Sequence, residues 1–268
     1  MSFALKLDNS KILKGIVETL VSIADEAQII VNDKEFVINA MDSGRICMLR
    51  VLLKKDCFIE YNGAKKSKVE INLKDLDKIL KRSTLDNSIG IEFNAKEQKV
   101  KIRLKKEGTS LTRTFRLAAI QAETEEFPVD VLRNIEYSSK WKMEPELLIE
   151  AIKDGELYSN TVTVAVEEEK LLTISSIGPI GEMTFELEVS ELLENSIKGK
   201  NVGMFSLSFL KAILKIAPVT EKLEMAVTND NPLRLLADLI GGGELSYFLA
   251  VKVEESEVKE AEEAINEV

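Results

Sequence analysis

Apolar positions recur along this 268-residue chain at two spacings, every second residue or every third to fourth, and the two periods separate strands from helices. Helical spacing runs from the candidate caps Asp8-Asn9-Ser10 to about Ala24, with Ile12, Leu13, Ile16, Leu20 and Ile23 on one side. It returns from about Lys74 to Ser83 around Leu76, Ile79 and Leu80. A third stretch runs from Pro145, an early-turn position, to about Leu157 around Leu147, Leu148, Ala151 and Ile152. A fourth covers about Ser208 to Ala217, with Phe209, Ile213 and Ile216 inward. Alternation fills most of the rest. The order predicted is strand, helix, several strands, short helix and three strands, beginning again near Ile135.

The spacing between equivalent elements is nearly constant. Pro145 follows Ser10 by 135 positions (145 − 10), and Ser208 follows Lys74 by 134 (208 − 74). The hairpin Ala27–Met41 lies over Thr161–Ser175, and Ile89–Phe93 over Leu223–Val227, both at an offset of 134 (161 − 27; 223 − 89). Such repetition predicts an α+β fold made of one domain written twice. The division is 1–120, a connector at 121–134, 135–254, and a tail at 255–268. The connector (QAETEEFPVDVLRN) is acidic, carries Pro128 and shows no clean period.

Composition narrows the function. The formal charge is −10, with 31% charged and 45% hydrophobic residues, a globular balance without a chain-wide cationic footprint. Glu254–Val268 holds seven Glu and one Lys, so −6 of that charge sits at one end and the remaining chain is near neutral. No histidine is present, which removes Ser-His-Asp and Cys-His nucleophile pairs and every His-ligated metal site. Cys47 and Cys57 form no CxxC motif and read as idle thiols in a reducing compartment. No apolar run approaches the roughly 18 residues that span a bilayer, and Met1–Leu7 lacks the core of a signal peptide, so no membrane role and an intracellular location are expected.

Against that acidic background the helices sort their lysines. Counting about 100° per residue puts Lys74, Lys78 and Lys81 opposite the apolar stripe of the second helix, and Lys211 and Lys215 opposite that of the fourth. The first helix exposes Lys11 and Lys14, with Glu18 among them; the third sets Lys153 outward beside Glu150 and Glu156. Lysine is common on any solvated helix face. Eight of them on four helices related by duplication instead predict one positive surface suited to phosphate backbones. Neither interleaved aromatics nor an Asn or Arg array for reading base edges accompanies them, so the binding expected is sequence-neutral.

Several short motifs, in order, resemble the archaeal and eukaryotic sliding clamps of the proliferating cell nuclear antigen type. They are Ala40–Ile46 (AMDSGRI), Lys78–Lys81 (KILK), Phe127-Pro128, Asn231-Pro232-Leu233 and Gly241–Val253 (GGGELSYFLAVKV), and the likeness spans about Phe3 to Glu255. The resemblance implies two sliding-clamp domains per subunit, with antiparallel sheets outside and helices lining the inside of a trimeric ring. It implies a processivity factor with no reaction of its own and no cofactor. Such a clamp encircles double-stranded DNA and tethers DNA polymerase, flap endonuclease, DNA ligase and the clamp loader, in the cytoplasm or nucleoid of an archaeon or in a eukaryotic nucleus. Lys14, Lys78, Lys81, Lys153 and Lys215 match positions that carry basic residues toward the hole in this family; Lys11, Lys74 and Lys211 rest on face counting alone.

The same resemblance implies a pocket for partner peptides formed by Met41, Arg45, Ile46, Met48, Phe127, Pro128, Pro232, Phe248 and Ala250. Ordinary strand core is the competing reading for Ile46, Met48 and Phe248. Val251 stands where the family usually has proline, and Glu125 where an apolar residue is common, so partner choice is expected to differ. Leu111–Ala118 and Gly181–Ser190 match the edges that pair between subunits. Leu111, Arg113, Phe115 and Arg116 would face Met183, Phe185 and Glu186, with Glu182 and Glu188 as further acidic partners for the arginines. Three alternatives stay open: a subunit of a heterotrimer or specialised repair clamp, a scaffold that does not encircle DNA, and a metal-dependent nuclease or hydrolase using Asp42, Asp75 and Asp77.

Overall fold

The computed structural model describes residues 2–63, 66–120, 127–168 and 170–252. Its first half contains β1 (Phe3–Leu7), α1 (Lys11–Leu20), β2 (Glu26–Val31), β3 (Glu35–Met41), β4 (Cys47–Lys54), β5 (Glu60–Asn62), β6 (Ser67–Asn72), α2 (Leu73–Leu80), β7 (Asn87–Asn94), β8 (Lys99–Lys106) and β9 (Thr112–Ala118). A short helix, α3 (Val129–Arg133), comes next. The second half contains β10 (Ser139–Met143), α4 (Pro145–Gly155), β11 (Thr161–Glu167), β12 (Leu171–Gly178), β13 (Gly181–Glu188), β14 (Glu194–Ile197), β15 (Lys200–Ser206), α5 (Leu207–Leu210), α6 (Ile213–Ile216), β16 (Thr220–Val227), β17 (Leu233–Leu239) and β18 (Gly243–Leu249).

Inward and outward residues alternate in most strands, as in Ile89, Ile91 and Phe93 of β7 against Leu223, Met225 and Val227 of β16. The offset of 134 holds there. It fails in the other hairpin. Buried Ala27, Ile29 and Val31 correspond to Val162, Val164 and Val166, an offset of 135 (162 − 27), and buried Phe36 and Ile38 to Leu172 and Ile174, an offset of 136 (172 − 36). An offset of 134 would lay buried Ala27 over outward Thr161 and turn the strand inside out; the period of two forbids it.

The helices are shorter than their periodicity. After Leu20 the N–H groups of Ser22 and Ile23 bond three residues back, which ends α1 before Ala24. Asn9 does the capping, accepting from the Lys11 N–H at 3.0 Å, while the Ser10 hydroxyl donates to the Thr84 carbonyl. Asn72 caps α2 by accepting from the Asp75 N–H. The expected single helix at Ser208–Ala217 is divided into α5 and α6, because Ala212, Leu214 and Lys215 donate to carbonyls three residues back and tighten the middle. Connector residues 129–133, read as aperiodic, form α3; Gln121–Glu126, including Glu125, and the tail lie outside the described residues.

Three antiparallel sheets result: β5-β1-β7-β8-β9, β13-β12-β11-β15, and a nine-stranded sheet β14-β10-β16-β17-β18-β4-β3-β2-β6. The last runs through both halves. Its joint is the pairing of β18 with β4, from Gly243↔Leu53 to Leu249↔Cys47. Leu49 and Tyr247 face one another there, fully buried. The helices pack in sequence across the two halves, α2 on α1, α1 on α6, and α5 on α4. Gly15 permits the crossing: a Cβ there would lie 3.0 Å from Val219 Cγ2.

A shared sheet makes the halves unfold together. Leu49→Ala, in the first half, is expected to cost about 2–5 kcal/mol. It should lower the urea midpoint read from the fluorescence of Trp141, the single tryptophan, which lies in the second half.

Candidate functional site

All eight candidate lysines lie on one contiguous helical layer, and they are not equivalent. Lys74 pairs with Asp25 at 2.6 Å, Lys78 with Asp75 at 2.9 Å, Lys81 with the buried Asp77 at 2.6 Å, and Lys211 with Glu156. Donating a hydrogen bond to the Asp77 carboxylate raises the Lys81 pKa and holds its charge. No described carboxylate lies within ion-pair distance of Lys11, Lys14, Lys153 or Lys215. Lys11, Lys14 and Lys215 share a groove of about 280 Å³ where α1 meets α6, floored by Gly15 and Val219 and edged by Glu18. Sequence counting found the face and missed this division: Asp25 and Glu156 come from other elements, whereas Asp75 and Asp77 lie on α2 itself, one turn before their lysines.

The nine residues expected to form a peptide pocket fall into two groups. Met41, Arg45 and Phe127 line a cavity of about 840 Å³, together with Val21–Gln28, Asp42, Ser43, Glu70, Lys74 and Ile120. Ile46, Met48, Pro128, Pro232, Phe248 and Ala250 do not line it. Met41, Met48 and Phe248 instead form a cross-strand row over β3, β4 and β18. Met48 and Phe248 are each 3% exposed, the strand-core alternative, whereas Ile46 is 42% exposed. The Ala250 N–H donates to the Ile46 carbonyl at 2.8 Å, which ties the chain after β18 to the loop. Tyr137 fixes Pro232 by donating to its carbonyl at 2.9 Å, with the Arg234 guanidinium 4.8 Å above the tyrosine ring.

Asp42 builds the loop that joins these groups. Its carboxylate accepts from the N–H groups of Gly44 (2.9 Å), Ile46 (2.7 Å) and Cys47 (2.6 Å). Arg45 is thereby held at φ 57, a left-handed conformation that costs an L-residue about 1–2 kcal/mol. The Asp-Ser-Gly run signals such an Asx turn, though its reach to Cys47 is visible only in three dimensions. Below the loop, burial pushes the Cys47 thiol up to about 12, with the Tyr247 hydroxyl lowering it and Asp42 raising it. Burial also raises the Tyr247 hydroxyl.

The two edges carry unpaired backbone. β9 and β13 each end a sheet, with Phe115 and Leu117, and Met183, Phe185 and Leu187, half-buried toward the core. Arg116 points to solvent, as do Glu182, Glu186 and Glu188. Arg113, expected beside Arg116, lies on the inward row and donates to the Arg82 carbonyl and Asn87 Oδ1, each at 3.0 Å. Its charge is engaged within the chain. Leu111 is exposed just before β9. The carboxylates of the nuclease alternative are apart in purpose: Asp42 serves backbone, Asp75 serves Lys78, and Asp77 serves Lys81.

Asp42→Ala is expected to cost about 1–3 kcal/mol by orphaning buried N–H groups, and to lower the urea midpoint more than Ser43→Ala does. For Cys47 the folded-state pKa exceeds the unfolded value, so its contribution is intact below pH 9 and is lost as pH rises from about 9 toward about 12, at about 1.4 kcal/mol per pH unit. Urea midpoints measured from pH 8 to 11 should fall less steeply in Cys47→Ala.

Residues 2–126 match the family model for the proliferating cell nuclear antigen, N-terminal domain. A DNA polymerase sliding clamp of Thermofilum pendens is 30% identical over 244 residues, covering 90% of this chain and 95% of that protein. One from Pyrococcus horikoshii is 27% identical, covering 95% and 100%. Among solved structures, a PCNA2-PCNA3 complex from Sulfolobus tokodaii superposes with a TM-score of 0.83 at 25% identity, covering 94% of this chain and 100% of that one. The PCNA of Thermococcus kodakaraensis shares the fold at a TM-score of 0.83 and 22% identity, covering 93% and 100%. With its doubled topology, helical lysine layer and unpaired sheet edges, the chain belongs to the family of DNA polymerase sliding clamps.

Proposed function

We propose that three copies of this chain close head to tail around duplex DNA, with the layer of α1, α2, α4, α5 and α6 facing the duplex. The observation that carries this reading is the internal joint. β4 and β18 pair within the chain, and their counterparts in the duplication, β13 and β9, are both left at sheet edges. A joint of the same design between copies is heterologous and continues until a ring closes.

The internal joint supplies the register. Burial matches β4 to β13 at an offset of 134 (183 − 49) and β9 to β18 at 132 (247 − 115). Transferring Leu49↔Tyr247 puts Met183 opposite Phe115 of the next copy, with Phe185 opposite Arg113 and Leu187 opposite Leu111. On the solvent face Glu182 meets Arg116, Thr184 meets Thr114 and Glu186 meets Thr112. Arg116, rather than Arg113, then supplies the cross-joint charge. The same transfer sets α4 against α2 of the next copy, as α1 sits against α6.

Lys11, Lys14, Lys153 and Lys215 are the phosphate contacts of first rank, because no described carboxylate lies within ion-pair distance of them; Lys74, Lys78, Lys81 and Lys211 add charge already shared with acids. Contacts of this kind release counterions whatever the sequence and allow sliding, while enclosure prevents escape. The exposed Ile46, the Asp42-built loop and the cavity beside Phe127 support docking of extended partner peptides such as those of polymerase, flap endonuclease, ligase and loader. The chain itself carries out no reaction.

Light scattering should give about 90 kDa, three times the 30.0 kDa chain. A ring loaded on circular DNA should resist high salt and slip from linear DNA. The triple substitution of Lys11, Lys14 and Lys215 to Ser should lower the salt dependence of DNA binding by roughly 0.9 in slope for each phosphate no longer neutralised and reduce polymerase stimulation more than Lys74→Ser. A monomeric mass at all concentrations, or equal retention on circles and linear DNA, would refute the ring.

A further inference from the structure

A second cationic surface lies away from the helices. Along β8, Lys99, Lys101, Arg103 and Lys105 all point to the solvent face of the five-stranded sheet, where Arg116 of β9 and Lys6 of β1 join them. Only Glu92 and Glu60 oppose these six cations from the strands of that face. Glu92 is shared by Lys101 at 3.1 Å and Arg103 at 2.8 Å, and Glu60 is taken by Lys6 at 2.9 Å. Lys99, Lys105 and Arg116 have no described carboxylate within ion-pair distance. A chain of net charge −10 has thus placed four consecutive outward strand positions, all cationic, on a surface that the DNA-facing layer does not use.

The strongest acidic segment of the same chain begins at a defined place. After β18 the Lys252 N–H donates to the Met204 carbonyl of β15 at 2.7 Å, and its ammonium to Thr161 Oγ1 at 2.9 Å. That backbone bond has a counterpart in the first half, where the Ile120 N–H donates to the Glu70 carbonyl of β6 at 2.9 Å. The offsets agree with those of the strands concerned, 132 for Ile120 and Lys252 (252 − 120) and 134 for Glu70 and Met204 (204 − 70). Ile120 leads into the connector, which reaches from the β6 edge to the joint of β4 and β18: Phe127 lines the cavity with Met41 and Arg45, and the charges of Asp130 and Arg133 act on Arg50 of β4. Lys252 leads into the acidic segment. In the duplication that segment starts where the connector starts, and the joint ahead of it is the one between copies.

We infer that the segment after Lys252 straps the joint between copies, its glutamates lying on the β8 cations of the next copy. The inference rests on the ring reading above. The path from β15 crosses β11, β12 and β13 and then β9 and β8 of the next copy, five strand spacings or about 24 Å. The sixteen residues 253–268 span up to about 50 Å when extended, so length suffices. Charge decides the destination. β11 and β12 offer the neutral Thr163, Thr173 and Ser175, β13 offers Glu182, Glu186 and Glu188, which repel a segment of charge −6, and the next sheet offers the six cations.

The full chain in 50 mM salt, half of it labelled with ¹⁵N, is treated with a carbodiimide. The expected products join tail glutamates to Lys99, Lys101 or Lys105 in peptide pairs of mixed isotope. A chain ending at Lys252 should dissociate at a concentration about fivefold higher than the full chain in 50 mM salt and at the same concentration in 0.5 M, as expected of screened charge pairs. Substituting Lys99, Lys101 and Lys105 by Ser should weaken assembly equally, and truncation in that background should add nothing. Pairs of a single isotope only, no pairs at all, or truncation without effect in an assembled ring would overturn the strap and leave the ring standing. Protection of the three lysines by duplex DNA, without tail pairs, would assign the face to nucleic acid and also overturn it. A monomeric full chain in every condition would remove the ring reading, and the strap with it.

Discussion

The pairing of β4 with β18 is the constraint on which the rest of the structure depends. Hydrogen bonds along an antiparallel ladder fix the distance and direction of both halves at once, and the pleat fixes which side chains meet. With Leu49 against Tyr247 the cores of the halves become one, and the helices above must then pack across the boundary, α1 on α6, with Gly15 close against Val219 just after α6. A single ladder therefore sets the sheet, the helix layer and the spacing of the lysines on it.

Electrostatics adds a second level. The lysine layer is graded, since Asp25, Asp75, Asp77 and Glu156 hold four cations while no described carboxylate lies within ion-pair distance of Lys11, Lys14, Lys153 or Lys215. A surface with every lysine unpaired would repel itself in the absence of DNA; pairing half of them relieves this while leaving a mobile charge density suited to weak contact. Asp42 acts differently. Its carboxylate is spent entirely on backbone, and its product is a shape, the turn that presents Arg45 and Ile46.

Much of this was legible in the sequence, and the failures have physical causes. Period and spacing gave the order of elements and the duplication, since inward residues such as Ile89 and Leu223 must recur whatever surrounds them. They misaligned Ala27–Met41 with Thr161–Ser175, because the consecutive apolar residues Ile29, Ile30 and Val31 hide which parity of β2 faces the core until its partners fix the register. Face counting placed the lysines correctly but could not see acids arriving from other elements. The family motifs marked Met48 and Phe248 as pocket positions, yet pairing across β4 and β18 puts them at 3% exposure. Arg113 alternates like an edge arginine and turns inward because Arg82 O and Asn87 Oδ1 wait there.

That last arginine has a mechanical consequence. Its counterpart at the internal joint is Leu245, fully buried. Where one joint is sealed by a leucine, the other would enclose a guanidinium whose hydrogen bonds stay within its own subunit. In the proposed ring, parting the copies would strip no partner from that group and would bare less oil to water than parting the halves, so the weak link would be built in at the boundary between polypeptides, where an opening machine would need to pull.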